Sequence, residues 1–341
     1  MALNKTFRFR NQWLGIAMVW IMWYHSGFSG NIRVFHYLKS IGYGGVDICL
    51  FASGIGCYFS LEKDSDILRF LKRRIKRLAP VYLCFIIPWL CFRMATTGLS
   101  WNAVLGNLLG IQSLVSWQNH FNWYIGGLIV FYLSMPYLKG LTDSCEKITG
   151  DLLVWVGMIM IGLPFWNADG NDIVILSRLP VLYAGVVCAK MAKQGYVLKK
   201  TDYTILLTAA AAGTAALFAF FHYMSDHLWS CGLYWYPFTL IAPGICVVWA
   251  LLMDTFQKYK LAQGIGRILE IIGVFSFEVY LIHVFLYERI MPSVLALNWE
   301  ISNNLLWVLT LPIVAVGSLL LNKLAAGCSG LLKKQNNKTK A

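Results

Sequence analysis

Four ionisable residues stand inside stretches of this chain that are otherwise apolar. They are His25 in WLGIAMVWIMWYHSG, Asp47 in GGVDICLFASGI, Arg178 in SRLPVLYAGVVCAK and His283 in FSFEVYLIHVF. A bilayer interior penalises such side chains, so each is expected to be paired or to do chemistry. An imidazole takes and returns a proton near neutral pH, which suits His25 to general-base work. Asp47 or Glu278 can orient an imidazole or pair with Arg178, and Arg178 can stabilise a developing oxyanion. His283 is either a second functional histidine or a structural one. Ser53, in ASG, is either a nucleophile or half of a small-residue pair where helices pack closely. A further candidate is the basic run FLKRRIKRLAP. Its Arg69, Arg73 and Arg77 recur at i, i+4 and i+8, a spacing that shares a helical face and suits bidentate phosphate binding. Membrane topology and anionic lipid headgroups explain such a run equally well.

The elements that position these residues follow from hydropathy. The chain has 341 residues, is 58% hydrophobic and only 13% charged, and has a mean hydropathy of +0.60. Soluble domains carry about 25% charged residues, so the composition is that of an integral membrane protein. Ten stretches approach the ~20 residues needed to cross a bilayer: 11–30, 42–61, 79–97, 123–140, 152–167, 173–190, 203–222, 234–253, 269–290 and 304–324. The shorter, more polar run 101–116 reads as re-entrant or interfacial. With both termini cytoplasmic, 24 of the 29 Lys and Arg residues fall on the cytoplasmic side. A crossing at 101–116 would invert every later loop and destroy that asymmetry. The +13 net charge therefore reflects topology rather than nucleic-acid binding. No small-residue cleavage site follows the first span, which reads as a retained anchor.

Depth connects the spans to the candidates. At about 1.5 Å per residue, His25 and His283 each lie roughly 21 Å into outward-going spans. Asp47 and Arg178 lie about five residues below the outer ends of theirs, so all four are expected in one layer. A shared, partly hydrated cavity with mutual pairing would lower the burial cost. Other motifs are weak. The nine cysteines form no CxxC pair and read as small packing residues. No metal-ligand spacing occurs, and GIG at 264–266 lacks the context of a nucleotide fingerprint. His120, His222 and His227 are expected near outer loops, as solvated residues. Trp117, Trp123, Trp229, Tyr234, Trp235 and Tyr236 are expected near the outer face, as a membrane-interface belt or as platforms for sugar rings.

These same segments resemble the acyltransferase-3 integral membrane proteins. The first-span histidine, the Gly-Val-Asp…Ser-Gly segment, FLKRRIKRLAPVYL, NWYIGGLIVFYLSMPYL, SRLPVLYAGVVCAK and FSFEVYLIHVF follow the family's order along nearly the whole chain. The resemblance implies an all-α polytopic bundle of about ten transmembrane helices over 1–332, followed by a disordered basic tail at 333–341. It implies transmembrane acyl transfer. The donor would be acetyl-CoA or a related thioester bound at the cytoplasmic face, its phosphates on Arg69, Arg73 and Arg77 and Ser53 on the donor side. The acceptor would be a hydroxyl of an extracytoplasmic glycan or lipid-linked saccharide. His25, Asp47, Arg178 and His283 would form the catalytic set, with no metal and no nucleic-acid partner, in a bacterial inner membrane. No C-terminal SGNH-type hydrolase segment accompanies the resemblance. One departure stands out: many members carry an arginine eleven residues before the first-helix histidine, where this chain has Leu14. Arg10 and Gln12 are the nearby substitutes. Two other readings of the polar layer are a proton-coupled solute transporter and a non-catalytic assembly partner.

Overall fold

A bilayer offers no hydrogen-bond partners, so a spanning backbone must satisfy its own polar groups. Every long element among the described residues is accordingly an α-helix. The computed structural model describes residues 1–28, 32–115, 123–162, 171–224, 232–297 and 302–338. The helices that matter below are α1 (Arg10–His25), α2 (Gly45–Lys63), α3 (Ile67–Thr96), α4 (Trp123–Ser144), α5 (Ile148–Gly162), α6 (Leu179–Lys193), α7 (Lys200–Tyr223), α8 (Phe238–Phe256), α9 (Lys260–Val274), α10 (Ser276–Phe285) and α11 (Asn303–Lys338). No strand is present among the described residues, only an isolated bridge between Ala2 and Val197.

Among the described residues seven helices are long and apolar enough to cross a membrane, or eight if the bent pair α9–α10 counts as one span. Of the ten expected spans, the first and fifth are helices of 16 and 15 residues, shorter than the ~20 of a full crossing. The run 101–116 contains two short helices, Trp101–Leu108 and Gln112–Val115. Ser100 caps the first of them by accepting from the Ala103 N–H at 3.2 Å.

The ninth span differs from expectation. It is not one helix over 269–290: α9 starts at Lys260 and turns by 75° into the stretch Ser276–Leu295. Close packing explains where α9 lies. Gly15 of α1 faces Gly273 of α9, and a Cβ on either would collide with the opposite backbone, at Leu269 O and Asn11 O respectively. Only glycine permits that approach. A second such contact joins α2 to α6, where Gly54 meets Leu182 O and Gly185 meets Phe51 O. These contacts put α2 and α6 in the centre of the bundle. The spans containing them are 78% and 72% buried, against 11% for α7.

Candidate functional site

Two of the four intramembrane candidates meet directly. His25 is the last residue of α1, and His283 sits on α10 with no exposed surface. Their rings approach through His25 Nδ1 and His283 Nε2 at 3.1 Å. The protons follow from the third partner. His283 Nδ1 lies 2.8 Å from Val279 O, and a carbonyl can only accept. Nδ1 of His283 therefore carries the proton, and its Nε2 accepts from the His25 Nδ1–H. This leaves the lone pair of a neutral His25 on Nε2, free to act as a base.

The other two candidates form an ion pair. Arg178 Nε and Asp47 Oδ1 stand 3.6 Å apart, both fully enclosed. Arg178 also donates to Val174 O at 3.1 Å and lies over the rings of Trp123 and Trp235 at 5.0 and 5.2 Å. Neither oxygen of Asp47 has a hydrogen-bond partner among the described residues. Glu278, the alternative partner, instead accepts from Asn322 at 2.7 Å. A run of rings links the two pairs: Trp123 to Tyr124 at 5.8 Å, Tyr124 to Tyr280 at 5.0 Å and Tyr280 to His283 at 5.8 Å.

A narrow cavity lies between this layer and the basic end of the bundle. It holds about 50 Å³ and is lined on α1 by Arg10, Leu14, Met18 and Ile21. Along the helix that is about 16 Å, and His25 lies one turn beyond. At its basic end stand three guanidinium groups, Arg10, Arg74 and Arg77. Arg10 donates from Nε to Ala52 O at 2.8 Å. Arg74 lies over the Phe70 and Tyr132 rings at 5.0 and 5.6 Å. None of the three pairs with a carboxylate among the described residues. Three guanidinium groups without a carboxylate partner among the described residues, gathered at one cavity mouth, make a strongly positive local field.

The structure separates the three arginines of the expected phosphate face. Arg77 lines the cavity, but Arg69 and Arg73 do not. Arg69 pairs with Asp64 at 3.1 Å and Asp66 at 3.2 Å, and Arg73 pairs with Asp64 at 2.6 Å. The hydrogen bond from Arg73, with Arg69 adding its charge, holds the Asp64 carboxyl below the usual aspartate range. The other two arginines that line the cavity are Arg10 and Arg74. The signal for Arg74 was the apolar pattern: buried Phe70 and Val81 mark the inward face of α3. Ser53 lines the cavity, and its neighbour Gly54 makes the close helix contact. At the Leu14 position an apolar side chain faces the cavity, and Arg10 enters the same space from one turn earlier. Gln12 is turned away, accepting from Trp249 Nε1 at 2.9 Å.

The remaining candidates are structural or solvated. Trp235 and Tyr236 are buried, which leaves no open face for a sugar, and His222 is exposed against Tyr223. Trp117, His120, His227 and Trp229 lie outside the described residues. No group of His, Cys, Asp and Glu among the described residues could hold a metal ion.

The acyltransferase-3 family model, described as an acyltransferase domain, matches residues 15–323. No curated protein and no solved structure matches the chain. The matched range contains the histidine pair, the buried ion pair and both cavity arginines of α3, and the chain belongs to the acyltransferase-3 family of integral membrane acyltransferases.

Proposed function

We propose that this protein transfers an acetyl group from cytoplasmic acetyl-CoA to a hydroxyl of an extracytoplasmic glycan or lipid-linked saccharide. The observation that carries this reading is the cavity joining three uncompensated arginines to within one turn of the histidine pair. The residues fit the donor. Arg10, Arg74 and Arg77 match the phosphates of a coenzyme A, and the apolar bore above them suits its thin arm. At about 50 Å³ the cavity admits only a few waters, so the arm must displace flexible side chains such as Met18.

The histidines then handle the proton. His25 Nε2 takes it from the acceptor hydroxyl, and the oxygen bonds to the acyl carbon. Collapse of the tetrahedral adduct breaks the carbon–sulfur bond, and the proton passes from His25 to the leaving thiolate, giving an ester and free coenzyme A. His283 fixes the His25 tautomer and shares the imidazolium charge through the 3.1 Å contact. Arg178 holds the Trp123 and Trp235 indoles, and Asp47 balances its charge. In this reading the basic end of the bundle faces the cytoplasm, as the charge asymmetry of the loops favours.

The test is transfer of label from radiolabelled acetyl-CoA in inverted membrane vesicles. His25→Ala should lower it by about 10²–10⁴-fold, the range for a lost general base, with coenzyme A binding retained. Equal labelling by the variant would remove His25 from the mechanism. His283→Gln should retain part of the activity because its amide can still accept from His25 Nδ1. His283→Phe should not.

A further inference from the structure

The narrow cavity points at the histidine pair along two helices at once. On α1 it takes Leu14, Met18 and Ile21, and His25 continues that stripe four residues later. On α10 it takes Ser276 and Tyr280, and His283 continues that stripe three residues later. The end of the cavity nearest the pair is therefore marked by Ile21 and Tyr280, each one turn short of a histidine. The Tyr280 ring meets the His283 ring edge-on, with centres 5.8 Å apart and planes at 73°. Tyr280 is buried and packs on Tyr124, which also lines the cavity, at 5.0 Å between ring centres.

Acyl transfer needs a hydrogen-bond donor at that end. When an acceptor oxygen bonds to a thioester carbon, the carbonyl oxygen becomes an oxyanion, and a donor already in place lowers the barrier. Arg178 is the candidate from the sequence, but it does not line the cavity. Asp47 balances its charge at 3.6 Å, and it donates to Val174 O at 3.1 Å. On the two helices that carry the histidines, the lining residues with a strong donor are Arg10, Ser276 and Tyr280. Arg10 precedes His25, and Ser276 precedes His283, by about 22 and about 10 Å of helix. Tyr280 precedes His283 by only about 4.5 Å. Its hydroxyl is also held in place. The Tyr124 backbone N–H, in the first turn of α4, bonds to the Tyr280 oxygen. Such an N–H has no partner within its own helix, and a phenol that accepts from it donates its own hydrogen elsewhere.

We infer that the Tyr280 hydroxyl is the oxyanion donor of this acyl transfer, giving its hydrogen bond to the thioester carbonyl oxygen at the end of the cavity next to the histidines. The inference rests on the acyl-transfer reading and adds a catalytic residue to it. The step balances without moving the phenol proton. As the acceptor oxygen bonds to the carbonyl carbon, His25 Nε2 takes its proton and the C=O electron pair moves onto oxygen, where the Tyr280 O–H meets it. The pair then returns to re-form C=O, the carbon–sulfur bond breaks, and the proton on His25 passes to the thiolate.

The test compares the native chain with Tyr280→Phe, which keeps the ring and removes only the hydroxyl. The probe is acetyl-CoA with heavy carbon at its carbonyl, bound to the whole protein in phosphatidylcholine vesicles. Isotope-edited infrared spectroscopy reads the carbonyl stretch of the bound thioester and needs no acceptor. Tyr280→Phe should move that band to higher frequency, because a hydrogen bond to the oxygen is lost. In inverted membrane vesicles the same variant should lower transfer of label by about 10²–10³-fold, the range for one lost oxyanion donor. Coenzyme A affinity should be unchanged. A band that stays in place would overturn the inference even if transfer fell, since the hydroxyl would then support the structure and not the carbonyl. Native-like transfer by the variant, or its loss of coenzyme A binding, would also overturn it. A native chain that shows no bound carbonyl band at all would instead bring down the donor reading, and this inference with it.

Discussion

The basic stretch at the start of α3 holds two sets of arginines, only a few residues apart, in opposite electrostatic conditions. Arg69 and Arg73 are exposed and satisfied by Asp64 and Asp66. Arg74 and Arg77 turn to the cavity, join Arg10 from α1, and meet no carboxylate among the described residues. The same residue type thus serves two ends. Where a carboxylate lies within reach the guanidinium closes the connection between two helices. Where none does, three like charges are held together, an arrangement that is unfavourable until an anion arrives. An arginine's function is read from what is missing around it as much as from its position.

That contrast can be broken by substitution. The largest effect is expected for Arg74→Ala combined with Arg77→Ala. Each removes hydrogen bonds from charged donors, worth about 1.5–3 kcal/mol, so coenzyme A affinity should fall by at least about a hundredfold in a direct binding measurement. Arg10→Ala follows, at about tenfold or more, because one such partner is lost. Smaller again is the double replacement Arg74→Lys and Arg77→Lys. It keeps the charge and loses the bidentate geometry, and should weaken binding by about tenfold. It also tests whether fork geometry or charge alone holds the phosphates. The smallest effect belongs to Arg69→Ala with Arg73→Ala. Exposed ion pairs contribute about 0–1 kcal/mol, so coenzyme A affinity should stay within about threefold. Loss comparable to that of the cavity pair would erase the distinction between the two sets.

Helical periodicity explains why sequence grouped Arg69 and Arg73 with Arg77. An i+4 step does not return to the same angle. At about 100° per residue it advances about 40°, so Arg77 lies about 80° around the helix from Arg69. Buried Phe70 and Val81 lie about 20° and 40° from Arg77 on that wheel. The inward stripe therefore takes Arg77 and Arg74, and the outward side takes Arg69. The periodicity was legible, but the orientation of the face was set by the neighbouring apolar residues.

The intramembrane layer divides similarly between what was legible and what was not. Residue type and depth put His25, Asp47, Arg178 and His283 in one layer, and the structure brings them together as two pairs. Which residue would orient His25 was not legible. Asp47 and Glu278 were the carboxylate candidates, and each is committed elsewhere, to Arg178 and Asn322. The partner is His283, 258 residues away in sequence. The bend after α9 was also hidden, because hydropathy runs without interruption through 269–290 and the turn at Phe275 carries no proline.

The sequence by itself determined the membrane character, the helical class, the sites of the costly polar residues and the family. All of these follow from local hydropathy, charge and motif order, quantities that need no knowledge of neighbours. Only the tertiary structure decided the histidine tautomer and the identity of the cavity arginines. Each depends on the rotation of one helix against another. In this bundle that rotation is fixed by backbone contacts at Gly15, Gly54, Gly185 and Gly273, between residues far apart in the chain.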